Sequence, residues 1–449
     1  MNSDCVSAGA RACLWVVVCA LLVGVASAEE RTWRTVDELS DDDRARFDPT
    51  TDAPRDAALP YLPAERYPFS PPYTAEEMGY RAAEFVHISR WHHSLIDVFG
   101  VITSSGYINQ GAGVSYVMQT TAPGFQAYVD GVAAGQVYSR WLIYSTFPPE
   151  TEAEQQLWVP YRTDATNRTK MDFFVYSPQL RRVRRQPQPR RDQRFPDNAQ
   201  TFDDVIGRDP WEFDWSLLGT DVVHRTVPFP PTRPTGVLNS ESQGFVERTT
   251  ADLKPMGDDY AHYRADGGVD CWVVRADTRS DLLPDYNEKT LILWLDKQHF
   301  YPLRMEKYDR EGKLIMVEVR NAALENPARE GFGYSAQMTL YWDLEHDIMS
   351  YSVHDGHRVH EWTAEQQAMI FTPEFMRRQW LYEPIKTQML IGDPTHYFLR
   401  PDLYRDRFPD VRRIELSPAL AARYAAQEQA GRLVFESAGG AAEAAMREQ

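Results

Sequence analysis

The spacing of apolar positions along the chain changes from helical to alternating as it proceeds. Met78, Ala82, Phe85, Ile88, His92, Leu95 and Phe99 recur at helical spacing. Thr74 with Glu77 three positions on forms a capping box, and Gly100 offers a stop, so the pattern predicts a helix over 74–99. At 1.5 Å per residue that helix is about 39 Å long. Arg81, Glu84 and Arg90 lie on its outward face, and Met78, Phe85, Leu95 and Phe99 form an apolar stripe suited to lying across a sheet as a lid. From residue 101 onward the period becomes two, which predicts strands. Tyr138 to Phe147, Lys170 to Tyr176, Phe300 to Tyr308, Leu314 to Arg320 and Ala336 to Asp343 are such stretches, while Leu291 to Leu295 is a continuous apolar run, either a strand buried on both faces or a helix fragment too short to stand alone. Asp309-Arg310-Glu311-Gly312 turns the chain between two of them. Asp355-Gly356 predicts a two-residue hairpin turn joining Ile348–His354 to His357–Trp362. No alternating strand–helix units occur, so the expected fold is β-rich α+β, a large antiparallel sheet with helices added.

The flanking regions read differently. Arg11 precedes an apolar run from Leu14 to Val25, and Ala26-Ser27-Ala28 follows as a small-residue cleavage site, the pattern of a signal peptide over 1–28 cut after Ala28. That run is too short to span a bilayer as a helix. Residues 29–73 hold seven prolines between Pro49 and Pro72, a density that forbids helix and central strand and predicts an extended arm lying on the body. The body is expected over 74–365, a C-terminal extension over 366–436 and a disordered tail over 437–449.

Charge and cysteine content then narrow the function. The net charge of −17 argues against a general nucleic-acid binder, which needs a surplus of Lys and Arg to meet phosphates. Removal of the signal leaves Cys271 as the last of four cysteines, so an internal disulfide is excluded. Beside Trp272 and Val273 it reads as a packed core residue rather than a nucleophile. An exported, acidic, unstapled chain reads as periplasmic.

Motifs for chemistry are sparse. No zinc-protease, nucleophile-elbow or phosphate-loop pattern occurs, and Gly111-Ala112-Gly113 reads as a turn. Across the predicted Asp355-Gly356 turn His354 and His357 would face each other, which makes them the candidate metal ligands. His360 would point to the opposite face, so zinc would need Glu361 or a distant carboxylate, and a solvated hairpin tip is the alternative reading. Arg181, Arg182, Arg184 and Arg185 form a basic run in an acidic chain, either a solvated loop or a clamp for a phosphate, a lipid headgroup or an acidic partner. Aromatic residues concentrate in the strands, as in Trp141-Leu142-Ile143-Tyr144, and a cavity lined by such side chains would suit an apolar ligand.

Two stretches carry a family resemblance. Phe173-Phe174-Val175-Tyr176-Ser177-Pro178-Gln179-Leu180 running into the arginines, with Phe202-Asp203-Asp204-Val205-Ile206-Gly207 after it, is the first. The second is Leu293-Trp294-Leu295-Asp296-Lys297 with Phe300-Tyr301-Pro302-Leu303-Arg304 and Tyr308 to Lys313; Trp211-Glu212-Phe213 lies between. Over residues 165–345 the chain resembles an uncharacterised (domain-of-unknown-function) family of outer-membrane lipoprotein-sorting-like proteins sharing the carrier fold of LolA and LolB. The resemblance implies an incomplete antiparallel barrel closed by helices around an apolar cavity, with no catalytic residue and no cofactor. It also implies a hydrophobic small molecule or lipid as ligand, and a resistance-nodulation-division (RND) exporter of the inner membrane, or an outer-membrane component, as partner. The expected function is therefore a periplasmic carrier or chaperone for a lipid, acyl chain or other hydrophobic molecule. A non-catalytic envelope scaffold is the alternative, and a metal-dependent hydrolase using His354 and His357 the remote one.

Overall fold

The structure, a computed structural model, describes residues 32–377 apart from 59, 66–68, 87–91, 104–107, 120–132, 148–149, 152, 196–197, 225–233, 240–243, 250–253, 258–259, 325–333 and 360–362. The signal stretch, His360, Glu361 and the tail thus lie outside the described residues. The first strand, β1 (Arg34–Thr35), leads through a 3₁₀ turn into helix α1 (Asp41–Ala45), and the arm then runs to helix α2 (Ala75–Val86). Six strands follow: β2 (His93–Thr103), β3 (Ile108–Gln119), β4 (Ser139–Phe147), β5 (Gln155–Pro160), β6 (Met171–Ser177) and β7 (Arg182–Gln186). Helix α3 (Phe202–Ile206) and a 3₁₀ turn (Pro210–Glu212) precede β8 (Phe213–Val223) and the hairpin β9 (Pro234–Asn239) and β10 (Gly244–Thr249). The chain then adds β11 (Val269–Thr278), β12 (Thr290–Asp296), β13 (Pro302–Tyr308), β14 (Leu314–Leu324), β15 (Tyr334–Asp343) and β16 (Ile348–Val359), and helix α4 (Ala364–Ile370) follows. Fourteen strands form one antiparallel sheet in the order β1-β8-β11-β12-β13-β14-β15-β16-β2-β3-β4-β5-β6-β7, and β9–β10 pair alone.

The alternating segments become strands where the spacing placed them, and the Asp309–Gly312 turn closes with Gly312 at φ 80°. Three expectations fail for identifiable reasons. The helix starts at its capping box, with the Thr74 N–H donating to Glu77 (2.8 Å) and the Glu77 N–H to Thr74 Oγ1 (3.1 Å), but it ends at Val86. Leu95 and Phe99 sit on β2, because Ile96, Val98, Val101 and Ile102 are β-branched and Leu95, Asp97 and Phe99 alternate as well as they fit a helix. The Asp355-Gly356 pair makes no turn: β16 runs through it with a register shift between Asp355 and Arg358, pairing with β2. Gly111-Ala112-Gly113 lies within β3, where the Phe99 ring covers Gly111 so closely that a side chain there would collide with it.

Register carries one face of the sheet from strand to strand. Leu293, Met305, Glu318, Tyr341 and Ser350 are successive partners, and so are Val117, Trp141, Trp158 and Phe173. On this face α2 lays Met78, Tyr80 and Ala82 over Leu217, Trp272, Val274 and Leu293, while Leu39, Leu62, Phe69 and Tyr73 of the arm complete the cluster. The arm is thus held by burial of its own apolar side chains, at about 25 cal/mol per Å². Further along, α3 packs Phe202 and Ile206 on Val117, Trp141 and Trp158. The other face is covered twice. Met256 and Tyr260 pack near Cys271, Val273 and Trp294, and Ile370, Phe371, Phe375 and Met376 seal Tyr116, Leu142 and Leu157. The first residues of the expected C-terminal extension therefore belong to the sheet's covering layer.

Candidate functional site: an aromatic cleft beside a buried charge network

The segment that carries α3 binds the sheet through charge. Thr201 caps α3, its Oγ1 accepting from the Asp204 N–H (3.3 Å). Asp204 is then gripped by Lys307 of β13 and by Arg208 at 2.8 Å, and Arg208 reaches Glu288 at 2.6 Å. Asp203 accepts from Arg191 (2.9 Å) and from the Tyr286 hydroxyl (2.8 Å). Asp209 meets Lys170 at 2.9 Å, Arg162 at 3.3 Å and the Thr163 hydroxyl at 2.7 Å. Arg191 also pairs with Glu212, and Arg320 donates to Glu318 at 2.6 Å. Six carboxylates (Asp203, Asp204, Asp209, Glu212, Glu288, Glu318) thus face six cations (Arg162, Lys170, Arg191, Arg208, Lys307, Arg320), all buried but for a sliver of Arg191. Burial alone would raise the acids, but Lys307 and Arg208 hold Asp204, and Lys170 and Arg162 hold Asp209, well below the usual carboxylate range. Burial pulls the Lys170 ammonium down against the pull of Asp209, and lifts the Tyr138, Tyr286 and Tyr341 phenols. Such a network is costly to bury, fixes one geometry, and consumes its own charges.

The same chain turn that feeds this network builds a cleft. In the 3₁₀ turn Pro210–Glu212, Asp209 and Glu212 face the network while Trp211 faces the cleft. The cleft encloses about 660 Å³ between the arm, the first turn of α2, the start of β8 and the loops at Asp164–Ala165 and Arg279–Leu282. Its apolar part is aromatic. Tyr61 packs against Trp211 with ring centroids 4.6 Å apart and the rings tilted by 48°, and Phe213 lies 5.9 Å from Trp215. Both indole N–H groups are held by backbone, Trp211 by the Thr163 carbonyl (2.6 Å) and Trp215 by the Pro210 carbonyl (2.8 Å), which fixes the rings. Gly79 lets α2 approach, since a side chain there would strike the Trp215 ring. The rim is charged. Glu76 accepts from Arg55 at 2.6 Å and from the Ala53 N–H at 3.2 Å, and burial raises its pKa more than Arg55 lowers it. Arg279 pairs with Asp281 at 3.0 Å. Volume and lining fall within the range of small-molecule sites.

The residues singled out from sequence fall elsewhere. Arg182, Arg184 and Arg185 lie on β7, the last strand of the sheet, and Arg181 is in the preceding turn at φ 49°; all four are exposed and none lines the cleft. Arg185 pairs with Asp172, and Leu180 at the turn is 60% exposed. Met78 faces the core beneath α2, the Phe85 side chain is outside the described residues, and Leu95 and Phe99 belong to a strand, so these four form no single lid face. His354 does not meet His357 across a turn. It lies opposite Asp97 of β2, with Nε2 3.1 Å from the Ser352 hydroxyl and 3.7 Å from Asp97, and Ser352 donates to Asp97 at 2.7 Å. Burial raises the Asp97 pKa. The side chain of His357 is outside the described residues. Among the described residues, Asp343, Glu345 and His346 do bring ligand-type atoms together, but Arg194 occupies the group, 3.0 Å from Asp343 and 2.9 Å from His346 Nδ1. Cys271 is buried in the core, as its neighbours suggested, and burial pushes its thiol up.

Comparison with known proteins gives a family without an activity. The model of the family described as "Protein of unknown function (DUF1329)" matches residues 63–377. No curated protein matches the chain. Among solved structures, the chain is similar to a DUF1329 family protein from Desulfovibrio piger at 14% identity, with 66% of this chain and 95% of that one covered and a TM-score of 0.45. A putative outer membrane lipoprotein-sorting protein domain from Vibrio parahaemolyticus matches at 13% identity over 68% and 100%, with a TM-score of 0.44. A LolA superfamily protein from Nitrosomonas europaea matches at 13% identity over 68% and 99%, with a TM-score of 0.37.

Proposed function

The chain belongs to the DUF1329 family, whose description names no activity, and we propose that it is a non-catalytic binding protein of the cell envelope that carries a small amphiphilic molecule in the cleft beside α2. The observation that supports this reading is the pairing of a fixed aromatic floor with a polar rim in a space of about 660 Å³. Apolar burial drives such binding, and the rim orients the ligand's polar end. In this reading the sheet curls around α2 and α3 as the incomplete barrel of a carrier, with α2, the arm and α3 covering the inner face and the cleft left for ligand. The envelope location rests on the signal-like run Leu14 to Val25 with Ala26-Ser27-Ala28. No helix of the described residues is long and apolar enough to cross a membrane. Arg181, Arg182 and Arg184, beside exposed Leu180, are the docking element for an anionic surface, whether lipid headgroups or an acidic face of an RND exporter or outer-membrane component.

The test is native mass spectrometry with solvent extraction on protein exported and purified without detergent. A small amphiphile bound near one per chain in the wild type, and lost in Trp215→Ala with the fold intact by circular dichroism, is the expected result. Bare polypeptide that takes up no added amphiphile would end the carrier reading.

A further inference from the structure

The charge on the rim of the cleft selects a ligand class. Five carboxylates line it, Asp52, Glu76, Asp164, Asp214 and Asp281, against two cations, Arg55 and Arg279. Glu76 and Asp281 are neutralised by those two arginines at 2.6 and 3.0 Å. Asp52 stands 3.8 Å from Arg55, which Glu76 already engages, and among the described residues the donors to Asp164 are neutral, the Thr166 N–H (2.8 Å) and the backbone and side-chain N–H groups of Asn167. Asp214 also borders the cleft, but it lies between Phe213 and Trp215 on β8 and pairs with Asp277, which turns its side chain to the other face of the sheet. The rim therefore carries two negative charges not balanced within it, Asp52 and Asp164. Below it, Tyr61 and Trp215 are half-buried, so their rings reach the cleft rather than disappearing into the core.

Aromatic faces and uncompensated carboxylates favour the same kind of guest. A cation over an indole or phenol ring gains from the ring quadrupole, and a poorly hydrated organic cation loses little water in reaching it. An anionic headgroup would meet only Arg55 and Arg279, each already paired, and would be repelled by the rest of the rim. Resting on the carrier reading above, we infer that the cleft binds an amphiphilic organic cation, its alkylammonium or amine end at Asp52 and Asp164 and against the rings of Trp215 and Tyr61, its apolar body over those rings and Leu282.

Three twelve-carbon ligands separate the possibilities in titrations of the mature chain followed by tryptophan fluorescence below their micelle concentrations. They are dodecyltrimethylammonium, its near-isosteric neutral counterpart dodecyldimethylamine oxide at pH 8, and laurate. The cation should bind at least about threefold more tightly than the amine oxide, a preference of the size expected for a cation–aromatic contact. Added salt should narrow that gap, and laurate should bind most weakly. The Asp52→Asn/Asp164→Asn double variant, in which an amide oxygen at position 164 can still accept from the Thr166 N–H, should bring cation and amine oxide within twofold by weakening the cation. Binding of the amine oxide as tight as the cation, or laurate tightest, would overturn the charge assignment and leave the carrier reading standing. Equal losses for both ligands in the variant would mean that the carboxylates only shape the cleft, and would overturn it too. Binding of none of the three would overturn the carrier reading itself.

Discussion

Two regions on one face of the sheet, joined through the short stretch from Phe202 to Trp215, solve opposite problems. Around α3 the face is filled: Asp203, Asp204, Asp209, Glu212, Glu288 and Glu318 meet an equal number of cations, and Phe202 and Ile206 close the apolar remainder. Around the start of α2 the face stops short of closure, and Trp211, Phe213 and Trp215 border about 660 Å³ of open space. The difference teaches where a ligand can go. A self-neutralising network offers no net charge and no room, whereas fixed rings with an acidic rim offer both an apolar surface and an orienting field. Trp211 and its flanking acids join the two, so the network anchors the wall of the cleft.

The comparison can be broken most severely from the network side. Asp204→Ala leaves Lys307 buried without its nearest carboxylate and should cost about 3–5 kcal/mol in urea unfolding. A loss under 1 kcal/mol would show that the network does not hold α3. Acid should act in the same direction. Because Asp204 and Asp209 are held below their unfolded values near 3.9, their stabilisation is complete above about pH 4 and is lost as pH falls below it. Glu76 and Asp97, raised by burial, work the opposite way and soften the drop. Thermal unfolding from pH 7 to pH 3 reads the sum, and a melting temperature that stays level would contradict the network's role.

Smaller effects sharpen the cleft. Gly79→Ala forces α2 away from Trp215 and should cost about 1–3 kcal/mol, with a shift in tryptophan emission that a remote helix substitution would not give. Trp215→Ala should weaken amphiphile binding by about tenfold or more in fluorescence or calorimetric titration, as loss of a central aromatic anchor does. At the far edge, replacing Arg181, Arg182 and Arg184 together by Ser should leave stability within about 0.5 kcal/mol, since these side chains are exposed. Partner or vesicle binding should nevertheless fall and become less salt-sensitive, and an unchanged interaction would return these arginines to the role of edge-strand charges that block aggregation.

Much of the scaffold was legible because period-two alternation is a local signal. Phe300 to Tyr308 and Ala336 to Asp343 became β13 and β15, and the Thr74–Glu77 box marked the true start of α2. The helix end was not legible, since Leu95 and Phe99 satisfy both periods and only the β-branched residues between them favour a strand. The Asp355-Gly356 hairpin failed because pairing with β2 on both sides of these residues outweighs a local turn preference. The cleft was harder still. Its walls come from the arm, α2, β8 and two loops far apart in sequence, and the Trp211-Glu212-Phe213 stretch was visible only as part of a family pattern. The network left a trace in the acids and arginines of 203–212, but its partners Lys170, Glu288 and Lys307 are distant in the chain.

The claim that ligand occupies the cleft and not the α3 layer is best tested by photo-crosslinking with a benzophenone-tagged twelve-carbon alkylammonium, followed by peptide mapping. The account predicts adducts within residues 51–61 and 211–215, competed by unlabelled ligand. Adducts concentrated instead in residues 199–209, or on β13 to β15, would contradict it.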